Sequence, residues 1–275
     1  MCLKAQKICQ VRVRKRVYTG RFQPSVTILF QHQKHLNQIL CSDFEYFLQI
    51  LKLKIDFLPQ IEYTERRKYL GGFAMLLQFS VTNHRSIKDT AIISMKASTD
   101  KSLSDCLISS DGKKQLVPVL ALYGANAAGK SNVLHALLLM REMVCGRYAK
   151  LLKGETLPQE PFALTDQDSE STSFEVIYFY NGIKYAYGFS FNKTGILNEY
   201  LYHWPNDREA LVFSREGNSY RFRENAQEQL TLAGRTAENR LYLSSSNEWN
   251  CPQTEKAYLW FFEKLTGFMG TEMRL

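Results

Sequence analysis

The chain has 275 residues, 45% of them hydrophobic, 13% aromatic and 23% charged, which is enough apolar material to bury one large core or two small ones. No apolar run approaches the roughly 20 residues that span a bilayer, and the N-terminal stretch lacks an apolar segment leading to a small-residue cleavage site, so the composition points away from membrane insertion and towards the cytoplasm. The formal net charge is +8, but residues 1–74 hold 13 of the 35 Lys/Arg and 5 of the 27 Asp/Glu, leaving 22 of each sign for the body, so overall basicity is no argument for a grip on nucleic acid.

Residues 1–74 differ in character from the rest. A basic stretch (Arg12, Arg14, Lys15, Arg16, Arg21) leads into Gln31-His32-Gln33-Lys34-His35, then an apolar patch over 44–58, then Glu65-Arg66-Arg67-Lys68. As a module this segment would bind DNA or a partner. The plainer expectation is that Met75 is the natural start, because it opens a strand pattern and follows Gly71-Gly72, whose codons can read as a purine-rich ribosome-binding sequence; 1–74 is then upstream sequence. From Met75 two strands are expected, 75–82 and 89–96, joined through Asn83-His84-Arg85-Ser86-Ile87, with a polar loop over 97–116.

Pro118-Val119-Leu120-Ala121-Leu122-Tyr123 reads as a short buried parallel strand. It feeds Gly124-Ala125-Asn126-Ala127-Ala128-Gly129-Lys130-Ser131, a full GxxxxGKS loop, and 131–144 follows as a helix with no glycine or proline before Gly146. Strand, loop and helix are the context in which such a sequence binds phosphate. The glycines let backbone N–H groups turn inward at the positive end of the helix, the lysine reaches the β- and γ-phosphates, and the Ser131 hydroxyl holds Mg²⁺. ATP and Mg²⁺ are therefore the expected ligands, with residues 124–132 as the binding loop.

Beyond an irregular stretch over 149–172, the runs 173–180 and 183–191 flank Asn181-Gly182, a strong hairpin signal. A third strand is expected over 196–203, a weaker pair over 210–214 and 219–223, and an amphipathic helix over 253–268. The six cysteines (Cys2, Cys9, Cys41, Cys106, Cys145, Cys251) form no CxxC pair and read as reduced, mostly buried thiols. His84 and His135 have no acidic or cysteine partner at metal spacing and read as packed or exposed side chains.

Asn83-His84-Arg85-Ser86-Ile87 after the first strand, with the GxNxxGKSN loop some way on, resembles the ATP-binding heads of RecF-like, SMC-like and ABC-type ATPases. The likeness is nearest to bacterial AAA family ATPases with an ABC-like head, many of them linked to phage defence. Pro161-Phe162-Ala163-Leu164, the YxYGF run at Tyr185 and the ExLYH run at Glu199 are similar to that family too. The resemblance implies an α/β P-loop head with a parallel core strand and helix plus an antiparallel β-meander, in which Gly124, Ala125, Asn126, Ala127, Ala128, Gly129, Lys130, Ser131 and Asn132 hold phosphate and Mg²⁺. It also implies a nucleotide contact for Arg85, which as a residue reads equally as a solvated turn arginine, and a γ-phosphate-sensing glutamine near Phe162, where Gln159 stands, itself read first as a surface loop residue. Head-to-head homodimerisation around hydrolysed ATP, with an effector nuclease or DNA as a further partner, follows from the same likeness.

The group's hydrolysis needs an acidic pair closing an apolar strand. No apolar strand between 132 and 275 runs into Asp-Glu: the run at 176–180 ends in Asn181, and Leu241-Tyr242-Leu243 ends in Ser244-Ser245-Ser246. The serines resemble the LSxG signature only faintly, without its glycine. The chain is thus expected to be the first half of an ATPase head that binds ATP, the other reading being a nucleotide-responsive scaffold without turnover; basic residues 1–74 leave nucleic-acid binding as a third.

Overall fold

Alternation of large buried and small or half-buried residues makes a sheet with one covered face. Along residues 172–180 Phe174, Val176, Tyr178 and Tyr180 are buried, whereas Ser173, Glu175, Ile177 and Phe179 are only partly so. The computed structural model describes residues 74–99, 104–109, 115–126, 128–164 and 171–266. In chain order they form β1 (Met75–Thr82), β2 (Ala91–Ser94), β3 (Ile108–Ser109), β4 (Gln115–Leu116), α1 (Lys130–Val144), β5 (Thr172–Tyr180), β6 (Ile183–Phe191), β7 (Ile196–Trp204), β8 (Ala210–Glu216), β9 (Ser219–Phe222), α2 (Ala226–Ala233), α3 (Tyr242–Glu248) and α4 (Pro252–Glu263).

Seven strands make one sheet in the order β2-β1-β5-β6-β7-β8-β9, and β3 and β4 form a separate ribbon. Every pairing is antiparallel. The β5–β6 hairpin closes on Asn181 and Gly182, both at positive φ (50° and 78°), the geometry that a two-residue turn matching strand twist requires. The helices cover one face. Trp260 of α4 stacks on Tyr178 with ring centroids 4.1 Å apart, the Tyr178 hydroxyl donates to the Ala257 carbonyl, and α1 packs against β1 and β5 with Ala136, Met140 and Val144 fully buried.

A charged network lies inside this core. Glu199 on β7 and Arg215 on β8 are 1% and 2% exposed, with Arg215 Nη1 3.8 Å from Glu199 Oε2. The Glu199 carboxylate accepts from the Tyr187 hydroxyl (2.9 Å) and from the Tyr242 (2.7 Å) and Leu243 (2.9 Å) amides, the first N–H groups of α3. It therefore caps the positive end of a helix remote in sequence. Burial pushes the carboxyl above its ordinary value, and Arg215, the two amides and Tyr187 oppose that rise. Arg215 in turn donates to the carbonyls of Gly217, Arg240 and Glu238, tying the 234–241 connection to the sheet.

Several expectations need correction. Residues 118–123 join no strand of either sheet, Ala121 making only a lone β-bridge, and no parallel pair of strands occurs among the described residues. A parallel strand needs a neighbour delivered by a crossover, and the strands of the main sheet are instead joined to one another antiparallel; Val119 and Tyr123 stand 54% and 65% exposed. The apolar run 241–243, which no acidic pair follows, leads into α3 with Leu241 as its extended N-cap, and Glu199 accepts the Tyr242 and Leu243 amides. Helix α2 falls in a stretch given no element, and the last helix ends at Glu263. Of the cysteines, Cys251 is buried but Cys106 is exposed. The DNA-binding, upstream-start and domain readings of residues 1–73 lie outside the described residues.

Glu199→Ala leaves Arg215 buried without its anion and α3 without its cap. It is expected to lower the unfolding free energy by about 3–5 kcal/mol, measured by urea denaturation, with loss of α3 helicity; a loss under about 1 kcal/mol would contradict the role given to this pair.

Candidate functional site

The sequence motif becomes a loop because Gly129 adopts a left-handed conformation (φ 81°, ψ 3°) immediately before α1. A Cβ there would sit 3.1 Å from the Ser86 hydroxyl, so backbone conformation and the neighbouring turn both select glycine. Lys130, the first residue of α1, folds its amine back into the loop, donating to the Gly124 (2.8 Å) and Ala125 (2.7 Å) carbonyls. Helix α1 has no side-chain cap at its N-terminus and no acidic residue in its first turn, so its positive end is left to an outside anion. Ser131 is exposed in that first turn, and Gly124, Ala125 and Asn126 are exposed as well; Ala127 lies outside the described residues.

Asn132 connects the loop to a second element. Its amide nitrogen donates to Ser86 Oγ at 2.7 Å. Ser86 belongs to the turn over 83–87, which Asn83 and Arg85 enter at positive φ (both 52°), a conformation unfavourable for side-chain-bearing residues unless bonds enforce it. Those bonds are present. His84 and Ile87 exchange backbone hydrogen bonds of 2.8 Å, Asn83 Oδ1 accepts from the Phe162 amide, the Asn83 carbonyl accepts from Thr172 Oγ1, and the Arg85 amide donates to the Glu160 carbonyl.

Arg85 stands in the turn next to Ser86, and its guanidinium is engaged by Glu160, Nε to Oε2 at 2.7 Å and Nη2 to Oε1 at 3.0 Å. Gln159, read as a surface position, is instead 7% exposed. His84 is 1% exposed beneath this pair, edge-on to Phe174 at 5.7 Å, and neither ring nitrogen has a hydrogen-bond partner. Burial first, then the Arg85 cation and His135, hold its imidazole down at about 4, with Glu160 opposing. His135 on α1 is lowered by burial and by Arg85. Both rings are neutral at pH 7.

Ser86 and Glu160 were missed as site residues. Ser86 stood inside the quoted turn and Glu160 beside Gln159, but only the fold brings their distant stretches to one edge of the loop. The serine run at 244–246 is structural: Ser244 Oγ donates to the Val144 carbonyl at the end of α1, and Ser246 Oγ pairs with Thr254 Oγ1. A groove of about 650 Å³ lies on the open face of the sheet, lined by residues such as Ser190, Asn198, Tyr200 and Arg221, and includes none of the loop. No helix among the described residues is long and apolar enough to cross a membrane.

Residues 119–272, more than half of the chain, match the family described as "AAA domain, putative AbiEii toxin, Type IV TA system". No curated protein matches the chain. The matched stretch takes in the loop, α1 and the meander from β5 onward, while the turn over 83–87 that abuts the loop precedes it.

His84 supplies a pH test. Its folded value lies below the unfolded 6.5, so its contribution is present above pH 6.5 and is lost as pH falls towards about 4. Wild-type protein is expected to lose roughly 3 kcal/mol more stability across that window than His84→Leu, followed by thermal unfolding at stepped pH; parallel curves would show that the ring is not buried neutral.

Proposed function

The chain belongs to this AAA-domain family and so binds nucleotide as a P-loop ATPase does, and we propose that its ligand is Mg-ATP, bound by residues 124–132, and that the complete head hydrolyses ATP between two copies closed face to face. The observation that carries the ligand reading is the Lys130 amine folded into the loop at the mouth of an uncapped helix with no acid in its first turn. That arrangement offers amides, helix dipole and a mobile cation to a triphosphate. The exposed Ser131 hydroxyl is the protein's ligand for the cation, and bound Mg²⁺ would neutralise charge on the β- and γ-phosphates.

Two features support closure against further structure. The loop is open to solvent, and apolar side chains just before it in the chain are exposed: Val119 and Tyr123 are more than half so. The turn over 83–87, set against the loop through Ser86 and Asn132, supports an ABC-, SMC- or RecF-like head. Among the described residues Glu160, whose carbonyl accepts from the turn beside the loop, is paired with Arg85 and is given no hydrolytic role.

Lys130→Ala is expected to weaken Mg-ATP binding by roughly 10- to 100-fold, the value of one charge-assisted contact, without shifting thermal unfolding. Calorimetry giving an unchanged affinity would overturn the site.

Binding and turnover are expected to separate. Phosphoryl transfer needs a group that positions the attacking water as well as phosphate ligands, and loss of one stabilising group costs on the order of 10³ in rate. The 275-residue chain should therefore bind ATP yet release phosphate near the uncatalysed background. Steady turnover that Lys130→Ala abolishes would place the catalytic carboxylate within this chain.

A further inference from the structure

Arg85 and Glu160 are held together twice, once by backbone and once by side chains. The Arg85 amide donates to the Glu160 carbonyl at 2.7 Å, and this bond, with those of Asn83 to the 162 and 171 backbone, fixes the two residues' positions whatever their side chains do. The side chains are free by comparison: they form a two-pronged ion pair, but 32% of Arg85's and 53% of Glu160's surface is exposed. Ser86, next to Arg85, touches Gly129 and receives the Asn132 amide. Through Ser86 the turn that carries Arg85 abuts Gly129 and Asn132, the end of the loop at which, in the site proposed above, Lys130 and Ser131 would meet the β- and γ-phosphates.

An exposed carboxylate–guanidinium pair holds weakly, being screened by water and salt, whereas a guanidinium on a multiply charged phosphate makes a stronger, equally two-pronged contact. Given the Mg-ATP site proposed above, on which this inference rests, we propose that Glu160 competes with the terminal phosphate of ATP for Arg85, so that exchange of this ion pair sets the preference for triphosphate over diphosphate. ADP leaves Arg85 on Glu160; ATP takes it over, and Glu160 is released to solvent. His84 and His135, both neutral, offer Arg85 no competing charge.

Calorimetric titration of Mg-ATP and Mg-ADP into wild type, Glu160→Gln, Arg85→Ala and the double variant tests the exchange. Glu160→Gln keeps the size and the backbone bond and removes only the charge. It is expected to tighten Mg-ATP by about two- to five-fold and to leave Mg-ADP unchanged, whereas Arg85→Ala weakens Mg-ATP alone and cancels the gain in the double variant. Unfolding temperatures equal to wild type exclude a folding defect. An unchanged or weaker Mg-ATP affinity in Glu160→Gln, or the same gain without Arg85, overturns the exchange while leaving the nucleotide site standing; absence of nucleotide binding in the wild-type chain overturns both.

Discussion

The structure depends on a carboxylate placed where a core should have none. Glu199 is enclosed by the sheet, and a buried charge costs several kcal/mol unless nearly every lone pair is met. It is met by Arg215, by the Tyr187 hydroxyl and by two amides at the start of α3. The consequence is architectural. An antiparallel meander has no intrinsic reason to hold the short helices that follow it, and α3, seven residues with three serines, has little propensity of its own. Glu199 supplies that reason from inside the sheet, and Arg215 extends the hold to the 238 and 240 carbonyls.

From that centre the constraint runs outward to the phosphate loop. Asn239 binds the Leu152 and Glu155 carbonyls and Arg240 binds the Ala149 carbonyl, which anchors the irregular segment leaving α1. The same segment returns along the molecule, bonds to Lys193 through the Leu157 amide, and presents Gln159, Glu160 and Phe162 to the turn over 83–87. A stretch that looks like a loop in sequence is thus a strap fixed at both ends, one at the buried network and the other beside Gly129. Such a strap can place a side chain next to a ligand as accurately as a strand does.

What was legible in the sequence was local. The GKS loop, the helix behind it, the Asn181-Gly182 hairpin and the alternating strands depend on neighbours in the chain, and each is found within a residue or two of its expected place. Residues 118–123 show the limit: their apolar pattern fits a buried strand, but a strand is defined by its partners, and their pattern cannot say which partners arrive. Residues 241–243 show the opposite case, a short apolar run of which Tyr242 and Leu243 open a helix whose first amides are met by a carboxylate some 40 residues earlier in the chain, at Glu199. Glu160 had no local mark at all. Its meaning arises only because the strap lays it against Arg85, 75 residues away.

Helix α1 has no free end. At its start Asn132 is bonded to Ser86, and at its finish the Val144 carbonyl receives the Ser244 hydroxyl of α3. A rod pinned in this way cannot be adjusted piecemeal. Displacement demanded at the loop must either carry the whole helix, and α3 with it, or break a hydrogen bond deep in the protein. Whatever the loop grasps is therefore weighed against the packing of Met140 and Val144 as well as against water, and the far side of the core shares mechanically in an event at the surface.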